Sequence, residues 1–230
     1  MTKVLNAVLN NPKNIKKIAK ILKKRYRDYS HNNRFNPLDE LLFILCSVKT
    51  SSGSYEAVYK NFRKAFPSFQ SIYDASERDI AKQLIRGGLY YQRAQAIKKI
   101  MQKIHEKFGI LSLSPLKTMD NTEIEKFLIS LPRVGKKVAK CVMMYSLGHK
   151  VFPVDTHCWR ISKRIGWITT SSKSNKYSDK DMDRLEKIIP ANLRYSIHVN
   201  FVSLGKDICT AINPKCNKCV IAKHCNRIFV

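Results

Sequence analysis

Residues 131–147 read LPRVGKKVAKCVMMYSL, and the stretch before them, EIEKFLIS (123–130), has the same helical spacing of apolar residues. Two helical patterns therefore flank a tight Pro132-Arg133-Val134-Gly135 turn, which is the layout of a helix–hairpin–helix. Successive backbone N–H groups in such a turn, followed by a helix N-terminus, form an anion site without help from side chains. It holds a phosphate and reads no base, so Pro132, Arg133, Val134, Gly135 and Lys136 are candidate DNA contacts. Lys137 falls in the first turn of the second helix, beside Lys136 and Lys140. The positive helix end and these neighbours disfavour its ammonium form, lowering its pKa from about 10.4 toward that of a usable amine nucleophile.

Outward from the turn, the same period runs through most of the chain. In residues 11–29, NPKNIKKIAKILKKRYRDY, the apolar Ile15, Ile18, Ala19, Leu22 and Tyr26 line one helical face and lysines fill the other. A loop is expected over 31–36, then helices over 37–50, 54–66, 76–87, 91–109, 121–131, 136–148 and 155–167. Ser76 and Asn121 are expected caps, and Gly109 and Gly148 expected stops. Residues 169–181, TTSSKSNKYSDKD, lack an apolar period and predict a loop, with two more helices before a cysteine-rich end. With 44% hydrophobic residues, eight Gly and eight Pro in 230 residues, the chain predicts an all-α fold with a substantial core.

Forty-three Lys and Arg stand against 17 Asp and Glu, a formal net charge of +26 spread along the whole chain. Such a surface suits a polyanion, nucleic acid first, because neutralised phosphates release counterions. No apolar run reaches the ~18 residues of a spanning helix, and the first ten residues lack the order of a signal peptide. The expected setting is intracellular, without membrane: cytoplasm or nucleoid, or the nucleus if the source is eukaryotic.

Four of the seven cysteines fall in CTAINPKCNKCVIAKHC (209–225). Cys209, Cys216, Cys219 and Cys225 follow the spacing C-x6-C-x2-C-x5-C. Scattered pairs would suit disulfides, whereas a tight tetrad suggests a metal. Zinc commonly uses two short clips and only one is present, so four thiolates around an iron–sulfur cubane are favoured over zinc. Lys215, Lys218 and Lys223 are interleaved with these ligands and would be offered to a phosphate backbone. Cys46, Cys141 and Cys158 lie in apolar helical contexts and predict buried small hydrophobes. Asp155 opens the next helix after VFPV, where an N-cap keeps a carboxylate ionised and suited to stabilising a sugar oxocarbenium or partnering Lys137.

Taken together, LPRVGKKVA, VDTH with Asp155 eighteen positions beyond Lys137, GLYYQRA (88–94) and the cysteine spacing resemble the endonuclease III branch of the helix–hairpin–helix DNA glycosylases, over residues 37–226. The resemblance implies a multi-helix barrel (33–147) inserted into a second domain (1–32 with 148–230) that carries a [4Fe-4S] cluster loop (209–225). A catalytic cleft would lie between them, with Lys137 as Schiff-base nucleophile and Asp155 as its carboxylate partner. The implied activity is that of a bifunctional glycosylase and AP lyase of base-excision repair. It would act, as a monomer, on double-stranded DNA containing a damaged or modified base, with an oxidised pyrimidine as the first expectation. Leu89 would be the wedge on the opposite strand. His157 is expected to be a structural neighbour of Asp155, and Tyr90 and Tyr91 to be half-buried in a helix junction.

Three positions depart from the family pattern. The first hairpin glycine is Arg133, the family's glutamine is Lys49, and an acidic residue three positions further on is Ser52. Arg133 would strain the turn if it needs a positive φ, while adding a cation beside the phosphate. VFPVDT, RIGW and LGKDICT also resemble segments of the plant 5-methylcytosine glycosylases. The alternatives are therefore a glycosylase for another modified base (5-methylcytosine, 8-oxoguanine or uracil), an AP lyase only, or a non-catalytic DNA-binding module with a structural metal.

Overall fold

A computed structural model describes residues 12–29, 32–47, 54–168 and 177–227. Lys49 and Ser52, and most of the loop expected over 169–181, lie outside the described residues. Among the described residues there are eleven α-helices, five 3-10 turns and no strand. They run α1 (Pro12–Tyr26), α2 (Pro37–Ser47), α3 (Ser54–Ala65), α4 (Phe69–Asp74), α5 (Glu77–Leu84), α6 (Tyr90–Phe108), α7 (Asn121–Ile129), α8 (Lys136–Tyr145), α9 (Thr156–Ile165), α10 (Asp179–Ile188) and α11 (Arg194–Asp207). No described helix is long and apolar enough to cross a membrane.

The chain divides into two compact units, one of Asn33–His149 and one of Met1–Asn32 with Lys150–Val230. In the first, α5 packs along α6, α2 against α3 and α8, and α7 against α8. Leu38, Leu41, Leu42, Phe62, Leu84 and Ile97 are fully buried there, each adding roughly 1.5–3 kcal/mol of transfer free energy. In the second, α11 packs on both α1 and α9 around Ile18, Leu22, Trp159, Ile161, Ile197 and Phe201. The lysines of α1 at 16, 17, 20, 23 and 24 stay exposed, as its period requires. Asp28, just past α1, accepts from Ser196 Oγ and Asn200 Nδ2 of α11, each at 2.7 Å, which fixes the end of the first helix on the last.

The caps show where local chemistry sets the boundaries. Ser76 caps α5 as expected, accepting from Asp79 N–H. The cap of α7 is Asp120, not Asn121, because its carboxylate accepts from both Thr122 and Glu123 N–H while Asn121 is already helical. Gly109 ends α6 in the left-handed region, φ 69°. The last helical residue of α8 is Tyr145; Gly148 (φ 74°) then lets His149 N–H return to Met143 O. Helix α10 takes in residues 179–181, which the lack of apolar period had placed in a loop. A reciprocal box between Ser178 and Asp181 starts it. The six-residue α4 was not expected, being too short for a period and set by a similar box between Ser68 and Ser71.

Candidate active site and thiol pocket

The hairpin sits in the unit of Asn33–His149. Leu131 and Val134 are buried, Pro132 half-buried and Arg133 exposed, so the turn is anchored by its apolar residues and shows its cation to solvent. Val134 N–H donates to Leu131 O at 3.2 Å and is engaged within the turn, not held open for an anion. Gly135 caps α8 with no side-chain hydrogen bond, leaving the first-turn N–H groups without a side-chain cap. Arg133 lies at φ 62°, where any residue but glycine is strained. Arg133→Gly should therefore stabilise the protein by about 1 kcal/mol, raising Tm by roughly 2–4 °C. It should also weaken duplex binding and lower the salt slope by about 1 if the guanidinium meets a phosphate. Calorimetry and a salt titration check both.

Lys137 is half-buried on the first turn of α8. On either side of it, Lys136 Nζ lies 3.5 Å from Glu125 Oε1 and Lys140 Nζ 3.6 Å from Glu125 Oε2. One carboxylate of α7 thus holds two lysines of α8 and pins the hairpin shut. Glu125 thereby offsets the two charges invoked to disfavour the ammonium of Lys137. Sequence reasoning also missed Glu40, fully buried on α2, which accepts from Asn33 Nδ2 and Arg34 N–H at 2.6 Å each. Burial pushes its carboxyl up, opposed by those hydrogen bonds and by the charges of Arg34 and Lys137. A glutamate inside the apolar run LDELLFIL was the available signal.

Leu89 is 40% exposed and sits at φ 47° at the start of α6, a left-handed leucine presenting its side chain to solvent. Tyr90 and Tyr91 are 43% and 52% exposed, in the first turn of α6, which begins at Tyr90.

In the other unit, Asp155 caps α9, its Oδ1 accepting from Cys158 N–H at 2.7 Å. His157 lies against Gly205, where an added Cβ would come within 2.8 Å of His157 Cβ and Cγ, and its Nδ1 is 3.0 Å from Arg160 Nη2. Burial holds the imidazole below its ordinary pKa, Asp155 opposing and Arg160 reinforcing. His157 is thus packed into the support of α9, as a neighbour of Asp155.

Cys209, Cys216, Cys219 and Cys225 line one pocket, walled by Ile161, Ile165, Leu204, Ile208 and Ile221. Among the described residues, no three Cys, His, Asp or Glu side chains are gathered as a ready-made metal site. Arg164 donates to Cys209 Sγ at 3.2 Å, to Thr210 O at 2.7 Å and to Ala211 O at 3.0 Å; Arg160 Nε donates to Cys209 O at 2.8 Å. Burial pushes the thiols of Cys219 and Cys225 up. Lys215, Lys218 and Lys223 are exposed around the pocket, while Cys46, Cys141 and Cys158 are buried.

Residues 42–187 match the sequence profile of the HhH-GPD superfamily of base excision DNA repair proteins, and the chain belongs to that superfamily. It is similar to endonuclease III of Buchnera aphidicola (30% identity, 94% of each chain) and of Thermotoga maritima (28%, 92% of each). Its place is among the endonuclease III-like members. A candidate DNA glycosylase of Arabidopsis thaliana is 30% identical over 75% of this chain, which spans 57% of that protein's length. In fold it resembles an endonuclease III in a non-covalent DNA complex (TM-score 0.80, 23% identity, 94% and 96% of the two chains) and a thermostable thymine-DNA glycosylase (TM-score 0.77, 22% identity, 94% of each).

Proposed function

We propose that this protein is a bifunctional DNA glycosylase and AP lyase of base-excision repair, and that Lys137 is its nucleophile. The observation that carries this reading is Lys137 on the opening turn of α8, directly after the hairpin. The hairpin turn would hold a backbone phosphate beside the lesion and give register without reading sequence. Arg133 takes part there as a cation, and Leu89 as the apolar wedge that fills the stack when a nucleotide is turned out.

The chemistry then follows from an amine and a carboxylate. Lys137 Nζ attacks C1′ as the N-glycosidic bond breaks, and the base leaves with the bonding pair and takes up a proton. Loss of the amine protons and opening of the sugar ring give an imine between Nζ and C1′. That imine acidifies the 2′ proton; its removal expels the 3′ phosphate by β-elimination, and water releases the enzyme. Asp155 contributes a negative charge that supports the cation developing on the sugar. Base removal alone needs no lysine at this position, which favours the bifunctional reading over a monofunctional one. An oxidised pyrimidine is the proposed substrate class.

The four cysteines fit a [4Fe-4S] cluster: all four thiols share one apolar pocket, and a guanidinium donates to one sulfur, as a thiolate ligand would accept. Cys209, Cys216, Cys219 and Cys225 would hold it. The cluster would order the loop that offers Lys215, Lys218 and Lys223 to DNA; no catalytic step requires it. Protein purified without oxygen should be brown, with broad visible absorption. Cys219→Ser should lose most of that absorption and melt several degrees lower, as metal binding is folding free energy here. A colourless wild type containing zinc would exclude the cluster.

The test of the reaction is borohydride trapping on duplexes carrying an abasic site, thymine glycol, a dihydropyrimidine, uracil, 8-oxoguanine or 5-methylcytosine. Adducts on an oxidised pyrimidine are expected. Adducts on the abasic site alone would reduce the protein to a lyase, and binding without any adduct would make it a DNA-binding module.

A further inference from the structure

Residues 150–155, KVFPVD, form a strap with no regular secondary structure that ends on Asp155. It is clamped along its length from α9, α10 and α11. Lys150 O accepts from Arg194 Nη1, and Phe152 N–H donates to Glu186 Oε2 at 2.7 Å. His198 Nδ1 is 2.9 Å from Pro153 O, and Cys158 N–H donates to Asp155 Oδ1 at 2.7 Å. A carbonyl oxygen only accepts, so the proton of His198 sits on Nδ1. The same Nδ1 lies 3.4 Å from Cys158 Sγ, and the ring meets Phe152 edge-on, 6.1 Å between centroids. His198 and Cys158 are 2% and 0% exposed, so this contact is set in the core of the unit.

We infer that His198 is a positioning residue for Asp155. This rests on the reading of Asp155 as the carboxylate that serves the reaction. The proline ring fixes φ of residue 153, and the hydrogen bond to its carbonyl restrains ψ, the one backbone torsion that the proline itself leaves free on the approach to Val154 and Asp155. The ring also backs Cys158, the residue whose N–H holds the carboxylate. His198 thus controls both the approach of the strap and the seat of its last side chain, without itself meeting substrate.

Two polar replacements separate this role from packing. In His198→Asn the amide nitrogen falls near the place of Nδ1 and can donate to Pro153 O; in His198→Gln it falls near Nε2 and cannot. Single-turnover excision by the full chain, on whichever duplex traps, is compared with duplex affinity and melting temperature. His198→Asn should stay within about threefold of wild type, and His198→Gln should be slower by about tenfold to a hundredfold at unchanged affinity. In an Asp155→Asn background, His198→Gln should add nothing, since there is no carboxylate left to aim. Equal rates for His198→Asn and His198→Gln, or losses that multiply in the double variant, would overturn the positioning role while leaving Asp155 in place. Wild-type turnover by Asp155→Asn alone would overturn the reading of Asp155, and this inference with it.

Discussion

Lys137→Ala should abolish borohydride trapping and slow strand cleavage at a lesion by at least about a thousandfold, roughly 4 kcal/mol of transition-state stabilisation. The fold should tolerate the change. Lys137 is half-buried in the first turn of a helix and alanine is the best helix former, while the buried carboxyl of Glu40 loses one of the charges that oppose its rise. Duplex affinity should fall only as the loss of a single cation requires, with the salt slope smaller by about 1. The neighbours are the control. Lys136 and Lys140 lie one position before and three after Lys137, yet each engages Glu125, and Lys140 is 2% exposed. Lys136→Ala and Lys140→Ala should both still trap, the second with lower stability because the buried ammonium that pairs with Glu125 is lost. Trapping that survives in Lys137→Ala would move the nucleophile elsewhere; trapping lost only in Lys140→Ala would show that the hairpin staple, and not an amine, is what the reaction needs.

The hairpin could be read from the sequence because two independent signals, a 3.6-residue period on each side and a Pro-x-Val-Gly turn between, agree on one geometry. The same holds for α1 and α6, whose buried residues are the periodic ones. Where a boundary depends on which of two adjacent polar residues turns its side chain back, period is silent: Asp120 and Asn121 are equally good caps on paper, and only the observed carboxylate bonds choose Asp120. The pairing of Glu125 with Lys136 and Lys140 was hidden for a different reason. Its residues lie eleven and fifteen positions apart, on two helices whose facing is decided by the turn between them. Glu40 was hidden by its company, since adjacent acids, Asp39 and Glu40, at the start of an apolar run read as an exposed, dipole-stabilising first turn. The exposure of Tyr90 and Tyr91 depends on where α6 begins, which Leu89 decides by adopting a left-handed conformation that nothing in its side chain announces. Lys137 and the thiols can be nominated from residue type and spacing; Glu40 and Glu125 cannot, because their placement is carried by packing.

Asp155→Asn should leave the protein as stable as before and slow base excision about a thousandfold. The stability half follows from the cap. Asn and Asp are equivalent at an N-cap, and an Asn Oδ1 can accept the Cys158 N–H that Asp155 Oδ1 accepts at 2.7 Å, so the change should stay within about 0.5 kcal/mol. The strap before it and the core contacts of Trp159, Ile161 and Ile165 after it are untouched. The kinetic half follows from charge. An amide has the shape of the carboxylate without its unit charge, and a fixed charge facing a developing sugar cation is worth roughly 3–4 kcal/mol in a site from which water is excluded. Asp155→Ala then separates the two roles of the residue. It should lose the same rate and, in addition, about 1 kcal/mol of stability, because the first N–H groups of α9 lose their acceptor. Duplex affinity should rise slightly in both variants, since a negative charge is removed from a protein of formal charge +26 that meets a polyanion. Excision by Asp155→Asn within tenfold of wild type would leave Asp155 with its capping role alone, and the carboxylate that serves the sugar would have to be sought on another residue.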